Sequence, residues 1–367
     1  MKNRPKKILV CGNYGAANLG DEAILAGIIK LIESTFPGAA ISVMSADKCR
    51  TEKEFRVNAV NFFPAGLRSF LKFWFLGQFI DSIKALLTAD LVILGGGGLF
   101  SDERKAAVWI WFVQACWFYL FGKKVVCLAQ SVGPLKSKWA KLLTGWVFKK
   151  AILKTVRDEK SLNLLNSIGV KGVVQLADPA FALAYEIESQ HKISNNVVIS
   201  LRQWKSQSDQ QRYDIIKNLS NYLREKHELR AIFVPFQDRP EESDLYCYEF
   251  IKDQVELRKV DDFKHALEII SRAKLVVGMR LHSIIMAVLA RRPFVAISYS
   301  KKVKDFVETL GLGEMVIDYD EINLKDLKKL VDLALDQENR LVEVLEKQKL
   351  KQVYEFYKHE KLLKEIL

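Results

Sequence analysis

Cysteine and histidine are both scarce in this chain, with five of each among 367 residues. The cysteines are odd in number and widely spaced, and neither a Cys-x-x-Cys pair nor a mixed Cys/His ligand set occurs. The pattern therefore argues against a disulfide framework and against structural zinc. Because chains without disulfides are typical of reducing compartments, we predict a cytoplasmic protein.

Long apolar runs are also few. The first, at residues 8–11, is too short for the apolar core of a secretion signal and is predicted to be the first strand. Residues 106–122 carry no charge over 17 positions, which is the lower limit for crossing a bilayer. Strand-like segments flank this run on both sides, so we interpret it as a helix that covers a sheet. Contact with a membrane surface is the alternative interpretation.

Acidic residues are outnumbered, since the chain has 56 Lys and Arg against 44 Asp and Glu and a formal net charge of +12. Such a balance indicates an acidic partner, which could be nucleic acid, an anionic lipid surface or a phosphorylated substrate. We predict no nucleic-acid binding, because zinc-finger spacing, RNP-type aromatic motifs and a compact basic tail are all absent. The length and a hydrophobic content of 49% indicate a folded protein with two domains.

Apolar runs of strand length alternate with segments of helical period, which predicts an α/β fold. A polar stretch at residues 182–196 is the best candidate for an interdomain linker. We predict one Rossmann-like domain at residues 1–185, a second at residues 186–345, and a carboxyl-terminal helix at residues 346–367 that braces the first. The basic amphipathic segment at residues 136–154 is expected to cover its own sheet, with binding to an anionic membrane as the alternative.

The segment GMRLHS, at residues 278–283, follows an apolar run and opens a helical pattern. Arg280 and His282 therefore fall at a strand's carboxyl end and in a helix's first turn, where open α/β sheets bind ligands. The helix start attracts anions, Arg adds a planar fork of donors, and His can exchange a proton near neutrality. With Lys302 after the next strand, this set suits a small, doubly anionic substrate. Local capping and solvation are the alternative roles.

Glycine-rich loops follow two other predicted strands. The first, GNYGAANLGDE at residues 12–22, lacks the GxGxxG dinucleotide fingerprint and places Asp21 at a helix start. There Asp21 is expected to cap the helix or, in the sharper interpretation, to accept hydrogen bonds from sugar hydroxyls. The second loop has four successive glycines at residues 95–98, which indicates close backbone approach or a loop that moves.

Together these motifs resemble the signatures of the polysaccharide pyruvyl transferases, including the cell-wall type. Arg-Leu-His-Ser at residues 280–283, followed by Ser-Tyr-Ser-Lys-Lys at residues 298–302, looks like the family's carboxyl-terminal signature. Asn-Leu-Gly-Asp-Glu at residues 18–22 looks like its amino-terminal one. The glycine loop followed by Asp102, Val-Arg-Asp at residues 156–158 and Ser-Leu-Arg-Gln-Trp at residues 200–204 are similar as well. Gln237 departs from the pattern, because many relatives carry His there, and this puts a titrating role at that position in doubt.

The resemblance implies a GT-B-like α/β fold, in which two Rossmann-like parallel-sheet domains face a central cleft. It implies an enzyme that takes the pyruvyl group of phosphoenolpyruvate and joins it to two hydroxyls of a sugar as a ketal, releasing phosphate. The sugar would belong to a cell-wall or exopolysaccharide precursor. Phosphoenolpyruvate is a co-substrate, and no cofactor or metal is expected. The family's acceptor is usually lipid-linked, which implies peripheral contact with the inner face of the cell membrane.

The resemblance also assigns roles to individual residues. The predicted catalytic residues are His282, as the acid that protonates the methylene carbon or the departing phosphate, Arg280, and Asp21, which would orient or deprotonate an acceptor hydroxyl. The predicted phosphoenolpyruvate ligands are Arg157, Arg280, Leu281, His282 and Lys302. The predicted acceptor ligands are Asn18, Asp21, Gly97, Gly98, Asp102 and Arg202. A glycosyltransferase that uses a nucleotide sugar and a catalytically inactive binding relative are the alternatives.

Overall fold

A computed structural model of the chain describes residues 5–66, 79–103, 106–186, 192–203, 209–240 and 242–366. It divides into two compact units, of which the first comprises Met1–Ala16, Asp21–Ala182 and Tyr354–Leu367. The second comprises Ala17–Gly20 and Leu183–Val353. The predicted linker begins inside a 3₁₀ helix, Pro179–Tyr185, which is buried except for Tyr185. Residues 187–191 of the linker lie outside the described ranges, as does Trp204 of the motif at residues 200–204.

The first unit is built on one parallel sheet. Its strands are β1 (Lys7–Cys11), β2 (Ala40–Met44), β3 (Asn58–Val60), β4 (Leu91–Gly97), β5 (Val125–Gln130), β6 (Leu153–Val156) and β7 (Val173–Gln175). Their order across the sheet is β3-β2-β1-β4-β5-β6-β7. All residues of the central strands β4 and β5 are buried, which is why these segments read as continuous apolar runs rather than as alternating ones.

The helices described in the first unit are α1 (Leu19–Thr35), α2 (Lys48–Phe55), α3 (Phe79–Thr88), α4 (Ala107–Leu120), α5 (Lys138–Lys150) and α6 (Glu159–Ser167). The uncharged run at residues 106–122 forms α4. One side of α4, with Val108, Trp111 and Phe118, is buried in the same core as β4 and β5. Within the described residues, none of the helices combines the length and apolar character that a membrane crossing requires.

The second unit repeats the architecture. Its strands are β8 (Asn196–Ser200), β9 (Arg230–Phe233), β10 (Glu256–Leu257), β11 (Leu275–Gly278), β12 (Phe294–Ser298) and β13 (Val316–Asp318), in the order β10-β9-β8-β11-β12-β13. Its helices are α7 (Asp209–His227), α8 (Leu245–Glu249), α9 (Phe263–Ser271), α10 (Leu281–Ala290), α11 (Lys301–Thr309), α12 (Leu324–Asp336) and α13 (Glu338–Lys364), with a 3₁₀ turn at Gly313–Met315.

Both sheets reverse their strand order once. In the first unit the reversal lies between β1 and β4, and in the second between β8 and β11, all of which pair in parallel. At such a switch point the flanking helices lie on opposite faces of the sheet, so a crevice opens at the carboxyl ends of the strands. The loops that begin at residues 12, 98, 201 and 279 leave the sheets at these two points. Two Rossmann-like parallel sheets confirm the predicted fold class.

The last helix, α13, begins in the second unit, and its residues from Tyr354 onward belong to the first. There His359 is fully buried, with Nε2 at 3.0 Å from the Thr155 hydroxyl of β6 and Nδ1 at 2.8 Å from the Phe356 carbonyl. Burial lowers the pKa of His359 to about 4. The ring is therefore neutral at pH 7 and fastens the end of the chain to β6.

His359 is expected to make the protein sensitive to acid. The pKa of His359 is about 4 in the folded protein, against 6.5 for an ordinary histidine, so the unfolded chain binds the proton more strongly between these values. The contribution of the neutral His359 ring to the stability of the fold is fully present above pH 6.5 and is lost as the pH falls towards 4. His359→Gln should lower stability by about 1 kcal/mol at neutral pH. On acidification, however, the stability of the variant should decline less than that of the wild type. Unfolding temperatures measured from pH 7.5 to 4.5 test this, with the exposed His265→Gln as the control. Parallel pH profiles for wild type and His359→Gln would contradict it.

Candidate active site

The first turn of α10 packs tightly on the end of β11. The Ser283 hydroxyl donates to the Arg280 carbonyl at 2.6 Å, and a Cβ at Gly278 would lie 2.4 Å from that hydroxyl oxygen. Gly278 is therefore required for this approach. Arg280 precedes the helix in an extended conformation, and no side chain caps α10. Arg280, Leu281 and His282 thus lie at the carboxyl edge of the second sheet, next to its switch point, and all three are half-buried.

Arg280 forms a buried ion pair with Asp244. Its Nε and NH2 groups donate to the two carboxylate oxygens. The Asp244 side chain is inaccessible to solvent and also accepts from the backbone N–H groups of Phe236 and Gln237, each at 3.0 Å. Burial by itself would lower the pKa of Arg280, but the adjacent Asp244 carboxylate raises it, so the guanidinium stays charged. Its orientation is fixed by two bonds to one carboxylate.

The loop held by Asp244 receives a segment from the other end of the chain. Ala17–Gly20 belongs to the second unit. The Leu19 N–H donates to the Phe236 carbonyl at 2.9 Å, and the Asp238 N–H donates to the Ala17 carbonyl at 3.0 Å. Asn18 and Gln237 form an antiparallel bridge between these segments. The predicted acceptor ligand Asn18 is thereby fixed to the loop that follows β9.

Gly20 lies directly against His282. A Cβ at Gly20 would stand 2.1 Å from His282 Nδ1 and 2.6 Å from Cγ, which is far inside any real carbon contact. The structure therefore brings the amino-terminal motif and the predicted catalytic histidine together, although Gly20 and His282 lie 262 positions apart in the sequence.

Further cations lie along the same edge of the second unit. The Arg202 guanidinium stacks over the Tyr299 ring at 4.8 Å from its centroid, and Tyr299 contributes to the raised pKa of Arg280. Lys302 lies in the first turn of α11 and is half-buried. Because β11 and β12 are parallel neighbours, α10 and α11 both begin at this edge, and neither has a side-chain cap. Their N–H groups add partial positive charge.

The first unit places Asp21 at its own switch point. The Asn13 side-chain amide donates to Asp21 at 2.6 Å, and a Cβ at Gly97 would lie 3.2 Å from the other carboxylate oxygen. Gly97 also has a positive φ of 81°, which glycine adopts without strain. The neighbouring Glu22 accepts from the Gly15 N–H at 2.8 Å, and burial raises its pKa to about 8. Gly98, the next predicted acceptor ligand, is exposed.

Arg157 lies in the first unit, where its side chain is 9% exposed and bonded to Asp178. Asp21 lies close enough to add to the raised pKa of Arg157. Arg157 and Asp21, which come from different segments, therefore share one neighbourhood at the carboxyl edge of the first sheet. The positive charge of Arg157 is compensated by Asp178, just as the charge of Arg280 is compensated by Asp244.

Asp102 joins two loops of the first unit. One carboxylate oxygen accepts from the Lys136 N–H at 2.7 Å and from the Ser137 N–H and hydroxyl at 2.9 and 3.0 Å. Burial alone would raise the pKa of Asp102, but these bonds outweigh it and lower the pKa. This bonding is structural, and binding of an acceptor by Asp102 stays a prediction.

Sequence reasoning missed the partners of the predicted residues. Asp244, Asp178 and Asn13 were assigned no role at the site, although each orients a predicted ligand. Short polar loops after strands β1, β7 and β9 were the available signal. Within the described ranges, no group of three or more His, Cys, Asp or Glu side chains is arranged to hold a metal ion, and the absence of a cofactor stays a prediction.

Solved structures share this architecture. MnaA of S. aureus in complex with UDP has a TM-score of 0.61 at 14% identity and covers 96% of this chain and 92% of its own. HepE of Anabaena in complex with UDP and glucose has a TM-score of 0.61 at 13% identity, with 99% and 100% coverage. At these identities the likeness shows the fold alone, which is the α/β fold of the GT-B class.

The family follows from the sequence comparisons. The family model for polysaccharide pyruvyl transferase matches residues 18–301. The amylovoran biosynthesis protein AmsJ of Erwinia amylovora is 23% identical over 407 aligned residues, which cover 91% of this chain and 97% of AmsJ. This chain belongs to the polysaccharide pyruvyl transferase family, as its motifs predicted.

Asp244→Ala should destabilise the second unit by about 3–5 kcal/mol, because it leaves the buried Arg280 charge without its partner. Removing both charges in Asp244→Ala/Arg280→Met should recover part of this loss. Denaturant unfolding measures the effect, and Asp261→Asn is the control, since the Asp261 side chain is 99% exposed and should change stability by less than about 0.5 kcal/mol. An Asp244→Ala variant as stable as wild type would contradict the role given to Asp244.

Proposed function

We propose that the protein transfers the pyruvyl group of phosphoenolpyruvate to two hydroxyls of a sugar in an exopolysaccharide or cell-wall precursor. The observation that carries this proposal is the meeting of the two family signatures in the second unit, where Gly20 lies against His282 beside Arg280. Membership of a transferase family supports the reaction class. The name of AmsJ, an amylovoran biosynthesis protein, supports a polysaccharide product.

Phosphoenolpyruvate carries a carboxylate and a phosphate whose second pKa is about 6, so its binding requires several fixed donors. Because Asp244 offsets the charge of Arg280, that guanidinium contributes directed donors more than net charge. Lys302, Arg202 and the uncapped starts of α10 and α11 would supply the remaining positive potential. In the first unit, Arg157 stays a predicted phosphoenolpyruvate ligand.

The proposed reaction begins with a proton added to the methylene carbon of phosphoenolpyruvate, which makes C2 electrophilic. One sugar hydroxyl attacks C2 and loses its proton, the bond from C2 to the phosphate oxygen breaks, and phosphate departs. Loss of phosphate leaves C2 electrophilic again, and a second hydroxyl attacks C2, gives up its proton and closes the ketal. His282 is the proposed acid, either for the methylene carbon or for the departing phosphate. Asp21 is the proposed group that orients or deprotonates an acceptor hydroxyl.

Gln237 concentrates the acid–base role on His282. Its side chain is buried, its amide donates to Glu242 at 2.9 Å, and its backbone bridges Asn18. An amide keeps this hydrogen-bonding position but cannot exchange a proton near neutral pH. We therefore infer that proton transfer at this edge depends on one imidazole.

A nucleotide-sugar glycosyltransferase is the competing function. A diphosphate would also bind helix starts and cations, and the structural neighbours named above are complexes with UDP. Their likeness supports the fold only. Two assays on one sample separate the functions: phosphate release from phosphoenolpyruvate with a panel of amino-sugar glycosides, and nucleotide release from UDP-sugars. A pyruvate mass gain on an acceptor supports the proposal, and nucleotide release without it rejects the proposal.

His282→Gln should lower the turnover number for phosphate release by about 10²–10⁴, the usual contribution of a general acid or base. Binding of phosphoenolpyruvate should weaken only modestly, because Arg280 and Lys302 remain. Steady-state phosphate release with acceptor, together with calorimetric binding, separates the two effects. His265→Gln is the matched control. Near wild-type turnover in His282→Gln would remove His282 from the chemistry.

Gly20→Ala should displace the His282 ring and reduce turnover strongly, since the new Cβ would overlap Nδ1. Gly313→Ala is the control, because its Cβ would meet nothing closer than 3.6 Å. Both variants are compared by turnover and by unfolding temperature. Full activity in a folded Gly20→Ala variant would show that this contact is not needed for catalysis.

A further inference from the structure

Two neighbouring helices of the first unit present large apolar side chains to solvent. Trp109 of α4 is 48% exposed, and Trp139 and Leu142 of α5 are 43% and 72% exposed. Together with the half-buried Phe112 and Trp146 we call these five residues the tryptophan patch. Exposed clusters of this kind on a folded protein mark interaction surfaces.

The patch is continuous across both helices. Residues three, four and seven positions apart lie on one side of an α-helix, so Trp139, Leu142 and Trp146 form one stripe along α5. The Trp146 ring lies 5.3 Å from the Phe112 ring of α4, and Phe112 lies 5.9 Å from Trp109. The core side of α5 is instead formed by Ala140, Thr144, Val147 and Phe148. Trp146 and Phe112 are half-buried and also pack against that core, but covering the sheet does not explain the exposed Trp139 and Leu142.

Lysines border the stripe. Lys138, Lys141, Lys149 and Lys150 are all exposed on α5, and Lys150 Nζ lies 4.4 Å from the centre of the Trp146 ring. Neither α4 nor α5 contains an Asp or Glu. The nearby Asp102 is engaged by the backbone at the start of α5. Glu103, which precedes α4, is exposed. An apolar centre flanked by lysines, on two helices that carry no acidic residue, complements an anionic lipid surface, where aromatic rings lie at the headgroup level.

The patch also lies at a particular end of the unit. Trp109 and Trp139 are in the first turns of α4 and α5, and these helices follow β4 and β5. Helix starts after parallel strands lie at the carboxyl edge of the sheet. That is the edge at which the first unit holds Gly97 and Asp21, the predicted acceptor ligands.

We propose that the tryptophan patch docks the first unit on an anionic lipid bilayer. Trp139, Leu142 and Trp109 enter the boundary between headgroups and acyl chains, while Lys138 and Lys141 bind anionic headgroups. The proposal deepens the proposed function, on which its purpose rests, because a bilayer at this edge would present a lipid-linked acceptor to Asp21. Leu142 at the centre of the stripe favours lipid over nucleic acid, which needs stacking and charge rather than aliphatic groups.

Vesicle co-sedimentation of the full chain tests the proposal with no substrate present. Wild type should bind vesicles with 30% phosphatidylglycerol (about a third anionic lipid) and should bind pure phosphatidylcholine vesicles much more weakly. Lys138→Gln/Lys141→Gln should weaken binding to anionic vesicles about fivefold per lysine. Trp139→Ser/Leu142→Ser should weaken it at least tenfold, and the tryptophan emission of wild type should shift to the blue on binding.

The matched controls are on α13, where Lys347, Leu350 and Lys351 are also exposed. Leu350→Ser and Lys347→Gln/Lys351→Gln should bind vesicles as wild type does. Equal binding by the patch variants and the α13 variants would overturn the proposal. So would a dimer in solution that only Trp139→Ser/Leu142→Ser dissociates, because the patch would then bind a second copy of the chain.

Phosphate release from phosphoenolpyruvate with a water-soluble glycoside is measured on the same samples. Patch variants should keep this activity, since none of their changed residues is assigned to the reaction. Vesicle binding by wild type without phosphoenolpyruvate turnover would reject the proposed function and leave the docking surface standing. Turnover with no binding to anionic vesicles would reject the docking surface alone.

Discussion

A single buried carboxylate organises the edge of the second unit. Asp244 has no access to water, so its charge must be compensated inside the protein, and it is compensated by Arg280 and by two backbone N–H groups. These bonds connect the loop after β9 to the start of α10. The same loop accepts the strand-like pairing of Ala17 and Leu19. The segments that carry Asn18 and His282 therefore lie close together, because each adjoins a residue that donates a hydrogen bond to the Asp244 carboxylate.

The close contacts at both switch points are possible because glycine has no Cβ. At Gly20 and Gly278 there is no room for a Cβ, because His282 and Ser283 occupy the space. Gly97 adopts a positive φ and lies next to Asp21. In each case the missing side chain lets another side chain lie against the backbone. Gly20 and Gly278 are therefore steric requirements in this chain, which a motif alone does not reveal.

Much of the fold follows from the sequence, because strand length and helical period are local properties. The segment GMRLHS was predicted to follow a strand and to open a helix, and β11 ends at Gly278 while α10 begins at Leu281. The next strand, β12, lies before Lys302 as expected. The family resemblance identified the motifs that contain Gly20 and His282, and the structure shows that these two residues are in contact.

The pairings at the site could not be predicted in the same way. Arg280 is bonded to Asp244, which lies 36 positions away in the sequence, and Arg157 is bonded to Asp178, which lies 21 positions away. No periodicity relates loop residues at such separations. The direction of the α5 stripe was also ambiguous. Periodicity identified an apolar side at residues 136–154, but the side that packs on the sheet is formed by Ala140, Thr144, Val147 and Phe148. Trp139 and Leu142 instead face solvent.

The path of the chain has a consequence for biogenesis. The polypeptide changes from one unit to the other after Ala16, Gly20, Ala182 and Val353. The amino-terminal unit thus includes Tyr354–Leu367, with His359 filling a buried position beside Thr155. During translation the first unit therefore stays incomplete until residues 183–353 have been made, because His359 is synthesised after them.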